Sequence, residues 1–400
     1  MSTRVPRRTR EGARGHSWSN CSRTPHAATG GRCGFATCTN KRSTEASARA
    51  TDGPKLGAVR VAAIQALEHH LPERRLKNDE LAKLYPDWSA QKIFDKTGIR
   101  ERRVVAPDEF ASDLGAAAAE KLFARTGIDR ATVDLLVYCT QSPDYFLPTT
   151  ACILQERLGL PTTTAAFDYN LGCSAFPYGL AMIRGLIETG AASTALLVMA
   201  ETYSRFIHPM DRSVRTLFGD AASAVLVTAT EREAPTLGPF VLGTDGKGAN
   251  NLIVKRGGIR QPIGTEPLVE TTDNSGNVRT EANLYMNGPA ILEFTIRRIP
   301  AVFKELLARA EVTLSDVRWV IMHQANEYML RYLQKKIGIP DEKFAVHLEH
   351  CGNTVSSTIP IVLQHLVKEG QVKRDDLLLT LGFGVGYSWG ANLIRWSPDR

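Results

Sequence analysis

In the stretch "FDYNLGCSAFPYGLAMIRGLIETG", residues 167–190, Cys173 stands between a strand-like approach and a run with helical spacing. Phe176, Leu180, Ile183 and Ile187 fall on one helical face, so the spacing predicts a helix from Cys173 to Gly190. Pro177 fits its first turn, where backbone N–H groups have no internal partner. The same unpaired N–H groups and the helix macrodipole favour negative charge. They would lower the thiol pKa and make Cys173 a nucleophile. A buried cysteine packed like alanine fits the local pattern equally well.

Three further signals bear on that choice. His323 ends the apolar run "VRWVIM" and opens "HQAN". A polar cluster after a buried strand sits at the crevice of an α/β fold, although a core histidine bonded to a carbonyl would look the same. Asn353, in "CGNTVSST", reads as a site amide or as a helix N-cap. "LGFGVGYSWG" clusters glycines at a strand end, fitting a backbone that approaches a ligand or supplies N–H donors, or a plain turn.

The elements that must position these residues alternate along the chain. "VRVAAIQAL", "VDLLVYC", "AAFDYNLG", "TALLVMAET" and "AASAVLVTAT" read as strands, separated by helices such as "SDLGAAAAEKLFARTG" and "TTACILQERLGL". From "FVLG" onward the order recurs: the helix "GPAILEFTIRRIPAVFKELLARAE", strand "VRWVIM", helix "EYMLRYLQKKIG", strand "KFAVHLEHCGN", helix "TVSSTIPIVLQHLVKEG", then strands "DLLLTLGFG" and "SWGANLIRW". Near-continuous apolar strands between helices mean sheets covered on both faces. The expected class is α/β with two similar halves, 56–235 and 236–400, and functional groups where they meet.

The net charge of +7 suggests nucleic acid until it is located. Residues 1–55 hold eleven Lys/Arg against three Asp/Glu, which leaves the remainder near −1. No basic motif with interleaved aromatics follows, so no nucleic-acid partner is expected. The leader, Arg- and Ser-rich and without apolar periodicity, reads as disordered; a transit peptide or a misassigned start fits it too. No apolar run is long enough for a membrane span. Seven scattered cysteines argue for a reducing, cytoplasmic setting (an organelle if the leader is a transit peptide), and their spacing suits no metal. Cys139 and Cys152 read as core residues, and His208 as lining a pocket or a subunit seam.

Residues 57–397 resemble the 3-oxoacyl-acyl-carrier-protein (beta-ketoacyl-ACP) synthase III family of the thiolase superfamily. The resemblance runs in order through "TGIRERR", "GCSAF", "FGDAASAVL", "HQAN", "GNT" and "GFGVGYSWG". It implies a duplicated αβαβα layered fold with pseudo-two-fold related halves, a homodimer, and a catalytic set of Cys173, His323 and Asn353. It further implies an oxyanion hole from the backbone N–H groups of Cys173 and Val385. The implied activity is an acyltransferase one: an acyl thioester loads on cysteine, then undergoes decarboxylative Claisen condensation with malonyl-ACP in fatty acid or specialised lipid or polyketide synthesis. Acyl-coenzyme A or acyl carrier protein would serve as donor, without metal or redox cofactor. The alternative is a related acyltransferase or ketosynthase that joins two acyl chains without malonate.

The chain departs from the family pattern at defined places. The arginine after "HQAN" that helps dock carrier protein is replaced by Tyr328. By spacing from "TGIRER", Lys92 takes the place of a tryptophan that stacks on the coenzyme A adenine, while the second adenine contact, Arg212, remains. "GFGGG" becomes "GFGVG", and Ser174-Ala175 follow the nucleophile. These changes lead us to expect a carrier-bound or unusual acyl donor rather than a short acyl-coenzyme A.

Overall fold

The computed structural model describes residues 58–398; the basic leader lies outside the described residues. Its apolar runs become buried strands: Leu135–Cys139 is buried throughout and Thr194–Glu201 at all but its first residue. Such strands must be covered on both faces, and here they are.

Two sheets result. The first has five strands in the order Val59–His70, Ala221–Arg232, Thr194–Glu201, Leu135–Cys139, Ala165–Tyr169. The second has four, in the order Leu237–Thr244, Ser388–Arg395, Leu377–Gly384, Trp319–Met322. The pairing senses repeat. Leu135–Cys139 runs parallel to Thr194–Glu201, as Trp319–Met322 does to Leu377–Gly384. The next two pairings are antiparallel in both sheets. The duplication read from the sequence is therefore real at the level of topology.

Helices Ala175–Glu188 and Thr358–Lys368 contact both sheets and share one buried cluster with them, including Phe176, Leu180, Ile183, Ile359 and Leu363. Helix Ala111–Thr126 covers the outer face of the first sheet, and Gly288–Ala310 with Glu327–Ile337 the outer face of the second. The layers read αβαβα. Each nearly continuous apolar helix face is thus matched to a sheet, and the two central helices begin where the halves meet.

Three expectations change. The helix after the nucleophile starts at Ala175 rather than Cys173, because Ser174 is its N-cap and Pro177 sits in the first turn. "KFAVHLEHCGN" forms only two isolated bridges, Val320 to Phe344 and Phe218 to Asn353. The Gln324 carboxamide takes the place of further ladder bonds, donating to the Ala345 carbonyl at 3.3 Å and accepting from the His347 N–H at 2.9 Å. Cys152 is exposed on its helix, whereas Cys139 is buried.

Candidate active site

Cys173 is 6% exposed, one residue before the cap of a central helix. The glycine strand lies directly against it. A Cβ on Gly382 would sit 2.3 Å from the Cys173 carbonyl oxygen, and one on Gly384 would sit 2.7 Å from Sγ. Those two positions therefore cannot carry a side chain. The backbone N–H groups of Val385 and of Cys173 itself hydrogen-bond toward the sulfur. The two amides implied by the resemblance are thus brought together at the thiol.

The electrostatics correct the sequence reading. Burial pushes the Cys173 thiol up to about 12, the carboxyl of Glu201 adds to the rise, and the two N–H groups only partly oppose it. The helix terminus is present, but desolvation outweighs it. At rest Cys173 is a thiol.

Glu201 gave no signal in the motif reading beyond a carboxylate ending the apolar run "LLVMAE". It is fully buried and accepts hydrogen bonds from the Gln141 N–H and the hydroxyls of Ser142 and Ser356. Burial raises its pKa to about 8. Beside it, Tyr203 donates to the Gln141 side-chain oxygen at 2.5 Å.

His323 and Asn353 line one apolar cavity of about 160 Å³, together with Phe218, Met286, Phe383 and Gly384. Gly384 joins this cavity to the sulfur. Burial holds the imidazole neutral, its pKa lowered to about 3, with the Val355 carbonyl acting weakly the other way. His323 Nδ1 lies 2.8 Å from Thr358 Oγ1, which leaves Nε2 for the cavity. The Thr358 hydroxyl is also 3.2 Å from the Val355 carbonyl oxygen. Its single proton can point to either acceptor. Turned to the carbonyl, it leaves Nδ1 protonated and Nε2 basic; turned to Nδ1, it makes Nε2 a donor.

Asn353 is fixed by its backbone, which bonds to Leu217 and Gly219, and by its Oδ1, which accepts the Val355 N–H at 3.0 Å. The carboxamide oxygen is thereby occupied and the Nδ2 donors remain. The turn that does this places Val355 at φ 54°, a left-handed conformation that costs a β-branched residue about 1–3 kcal/mol.

Farther out, the reading of Lys92 as the tryptophan position is corrected. Trp88, four residues earlier, faces Arg212, whose guanidinium carbon is 5.5 Å from the ring centre. Lys92 and Lys96 lie 5.7 and 5.6 Å from the same ring. Trp88 precedes the Ala90–Thr97 helix and folds back over it, which counting from "TGIRER" could not show. Tyr328 is 63% exposed and borders the cavity mouth. His208 pairs with Glu270 at 3.2 Å instead of joining the cluster around Cys173.

The chain is similar to known proteins over most of its length. Residues 167–246 match the family described as 3-oxoacyl-[acyl-carrier-protein] synthase III, and residues 307–396 match its C-terminal part. A beta-ketoacyl-[acyl-carrier-protein] synthase III from Halalkalibacterium halodurans is 38% identical over 336 residues, 84% of this chain and 97% of its own. One from Caldanaerobacter subterraneus subsp. tengcongensis is 34% identical, covering 82% of this chain and 96% of its own. A crystal structure of a 3-oxoacyl-(acyl-carrier-protein) synthase III superposes with a TM-score of 0.83 at 52% identity, covering 84% of this chain and 99% of that one. Fold, shared cleft and relatives coincide: the chain belongs to the 3-oxoacyl-[acyl-carrier-protein] synthase III family of thiolase-like condensing enzymes.

Proposed function

We propose that this condensing enzyme works in two half-reactions, one on Cys173 and one before His323 and Asn353. The observation that carries this reading is Gly384, which lies against the buried Cys173 sulfur and borders the cavity that His323 and Asn353 line.

In the first half-reaction the Cys173 sulfur attacks an acyl thioester carbonyl. A new C–S bond forms, the old one breaks, and the thiol proton passes through His323 Nε2 to the departing thiol. With the thiol at about 12, proton removal accompanies attack rather than preceding it. The Cys173 and Val385 N–H groups hold the oxyanion, each worth about 2.7–4 kcal/mol of barrier.

In the second, a malonyl thioester loses CO₂, and the electron pair of the broken C–C bond becomes an enolate. Its oxygen accepts hydrogen bonds from Asn353 Nδ2 and His323 Nε2–H. The enolate carbon attacks the acyl-cysteine, a 3-oxoacyl thioester leaves, and the released sulfur regains a proton from water. These steps use the substrates' own bonds and call on no metal or redox group.

Trp88 and Arg212 are the residues suited to stack on the adenine of an acyl-coenzyme A, with Lys92 and Lys96 beside its phosphates. Their presence weakens the expectation of an unusual donor. Tyr328, Arg331 and Lys335 border one groove next to the cleft mouth together with Asp95 and Glu327; Arg331 pairs with Glu327, and Lys335 offers a cation to an acidic acyl carrier protein. The exposed run Tyr145-Phe146-Leu147, with Leu147 86% exposed, supports a homodimer in which a second copy covers it.

Intact-protein mass spectrometry with acetyl- or hexanoyl-coenzyme A and the same groups on carrier protein tests the reading. An adduct on Cys173, absent from Cys173→Ala, followed by CO₂ release from malonyl-ACP, is expected. Transfer to a second acyl chain without CO₂ release would establish the malonate-independent alternative instead.

A further inference from the structure

The hydroxyl of Ser174 does not cap the helix it begins. A serine at a helix N-cap ordinarily accepts the N–H of the second or third helical residue. Ser174 is the N-cap of Ala175–Glu188, yet its side chain makes no such bond. Its Oγ lies instead 2.7 Å from the Oγ of Ser388, on a strand of the second sheet. Ser388 Oγ in turn lies 2.9 Å from the Val385 carbonyl oxygen. Both serines are buried.

The direction of this chain follows from what each group can do. A carbonyl only accepts, so Ser388 donates to Val385, and its lone pair then accepts the Ser174 proton. Hydrogen bonds in series polarise one another where water is excluded. They end at the tip of the hairpin formed by Leu377–Gly384 and Ser388–Arg395. From Leu378 to Ile394 only Val385 and Gly386 escape full burial, so packing holds that tip least. On its far side Tyr387 is anchored by two backbone bonds with Asp245, both 2.8 Å, and by a ring stacked on Phe294. The serine chain clamps the near side, at the residue whose N–H points to the Cys173 sulfur.

We propose that Ser174 and Ser388 are positioning residues for acylation: a hydroxyl chain from the helix of the nucleophile that holds Val385 with its N–H aimed at the developing oxyanion. This inference rests on the proposed acylation of Cys173 and the oxyanion role of Val385. Both serines act through Val385 rather than on the substrate.

The test follows Cys173 acylation by acetyl-coenzyme A, read by intact-protein mass spectrometry over a range of donor concentrations. It compares the full chain with Ser388→Ala, Ser174→Ala, the double variant and Ser388→Thr. Ser388→Ala should lower the maximal rate about tenfold and Ser174→Ala about threefold, the range of one hydrogen bond, with the half-saturating donor concentration unchanged. Ser388→Thr keeps the hydroxyl and should restore the rate. Because the hydroxyls act in series, the double variant should be no slower than Ser388→Ala, whereas two independent packing losses would multiply. Ser174→Ala leaves Ser388 in place and carries the test if Ser388→Ala does not fold. Unmodified rates in the folded alanine variants, multiplying losses, no rescue by threonine, or a change confined to half-saturation would overturn the clamp while leaving acylation intact. No adduct in the unmodified protein would overturn the acylation reading instead.

Discussion

The two halves deliver different chemistry from equivalent places. In each, a central helix begins at the cleft: Ala175–Glu188 after Cys173, and Thr358–Lys368 after Asn353. The first approach is compact, with backbone amides aimed at sulfur and glycines letting a strand close over it. The second is a strained turn that brings a carbonyl and a hydroxyl to one imidazole and a carboxamide to the cavity it lines. The buried titratable groups also differ in sign. The first half buries the acid Glu201 and the second the base His323, and both are neutral near pH 7 because desolvation penalises charge.

The division can be broken from either side. His323→Ala or Asn353→Ala should lower malonyl decarboxylation by roughly 10²–10³-fold, the usual loss for one preorganised donor, when CO₂ release is followed.

The opposite burial of acid and base should show in stability against pH. Glu201 titrates near 8 when folded and 4.5 when free, so its contribution is present below 4.5 and lost as pH rises toward 8. His323 is lowered from 6.5 to about 3, so the unfolded chain binds the extra proton and stability is lost as pH falls through that window. Each slope is at most about 1.4 kcal/mol per pH unit. In urea titrations, Glu201→Gln should flatten the alkaline limb and His323→Ala the acid limb.

Smaller effects sharpen the picture. Thr358→Val removes the hydroxyl that can serve either imidazole tautomer, and should slow condensation by up to about tenfold, the worth of one hydrogen bond. Thr358→Ser should restore it, which a purely structural role would not predict. Trp88→Ala should raise KM roughly three- to tenfold for acyl-coenzyme A donors and leave carrier-bound donors unaffected, since only the former bring a ring to stack.

Much of this was legible from residue order. Apolar strands and helical spacing announce themselves locally, so the repeated order appears before any coordinates. Cys173, His323 and Asn353 stand at strand or helix ends, where α/β folds collect polar groups, and the structure does gather them. What escaped depends on three-dimensional surroundings. Burial reversed the expected direction of the Cys173 pKa, because spacing reveals the helix terminus but not how far water is excluded. Trp88 was missed because a chain that folds back reaches the same place from a different residue count. The segment at 344–350 looked like a strand, yet the Gln324 side chain takes two of its backbone groups and the Arg100 N–H a third, the Glu349 carbonyl, in place of a ladder. The strain at Val355 has no signature in the letters at all.

The most direct measurement takes Asn353→Ala through one turnover with acetyl-coenzyme A and carboxyl-labelled malonyl-ACP, reading the Cys173 adduct by mass and the labelled CO₂ together. A role for Asn353 confined to the enolate predicts an acetyl adduct at near the unmodified rate and CO₂ release reduced by roughly 10²-fold or more. Loss of the adduct along with the CO₂, or CO₂ release at the unmodified rate, would contradict the account.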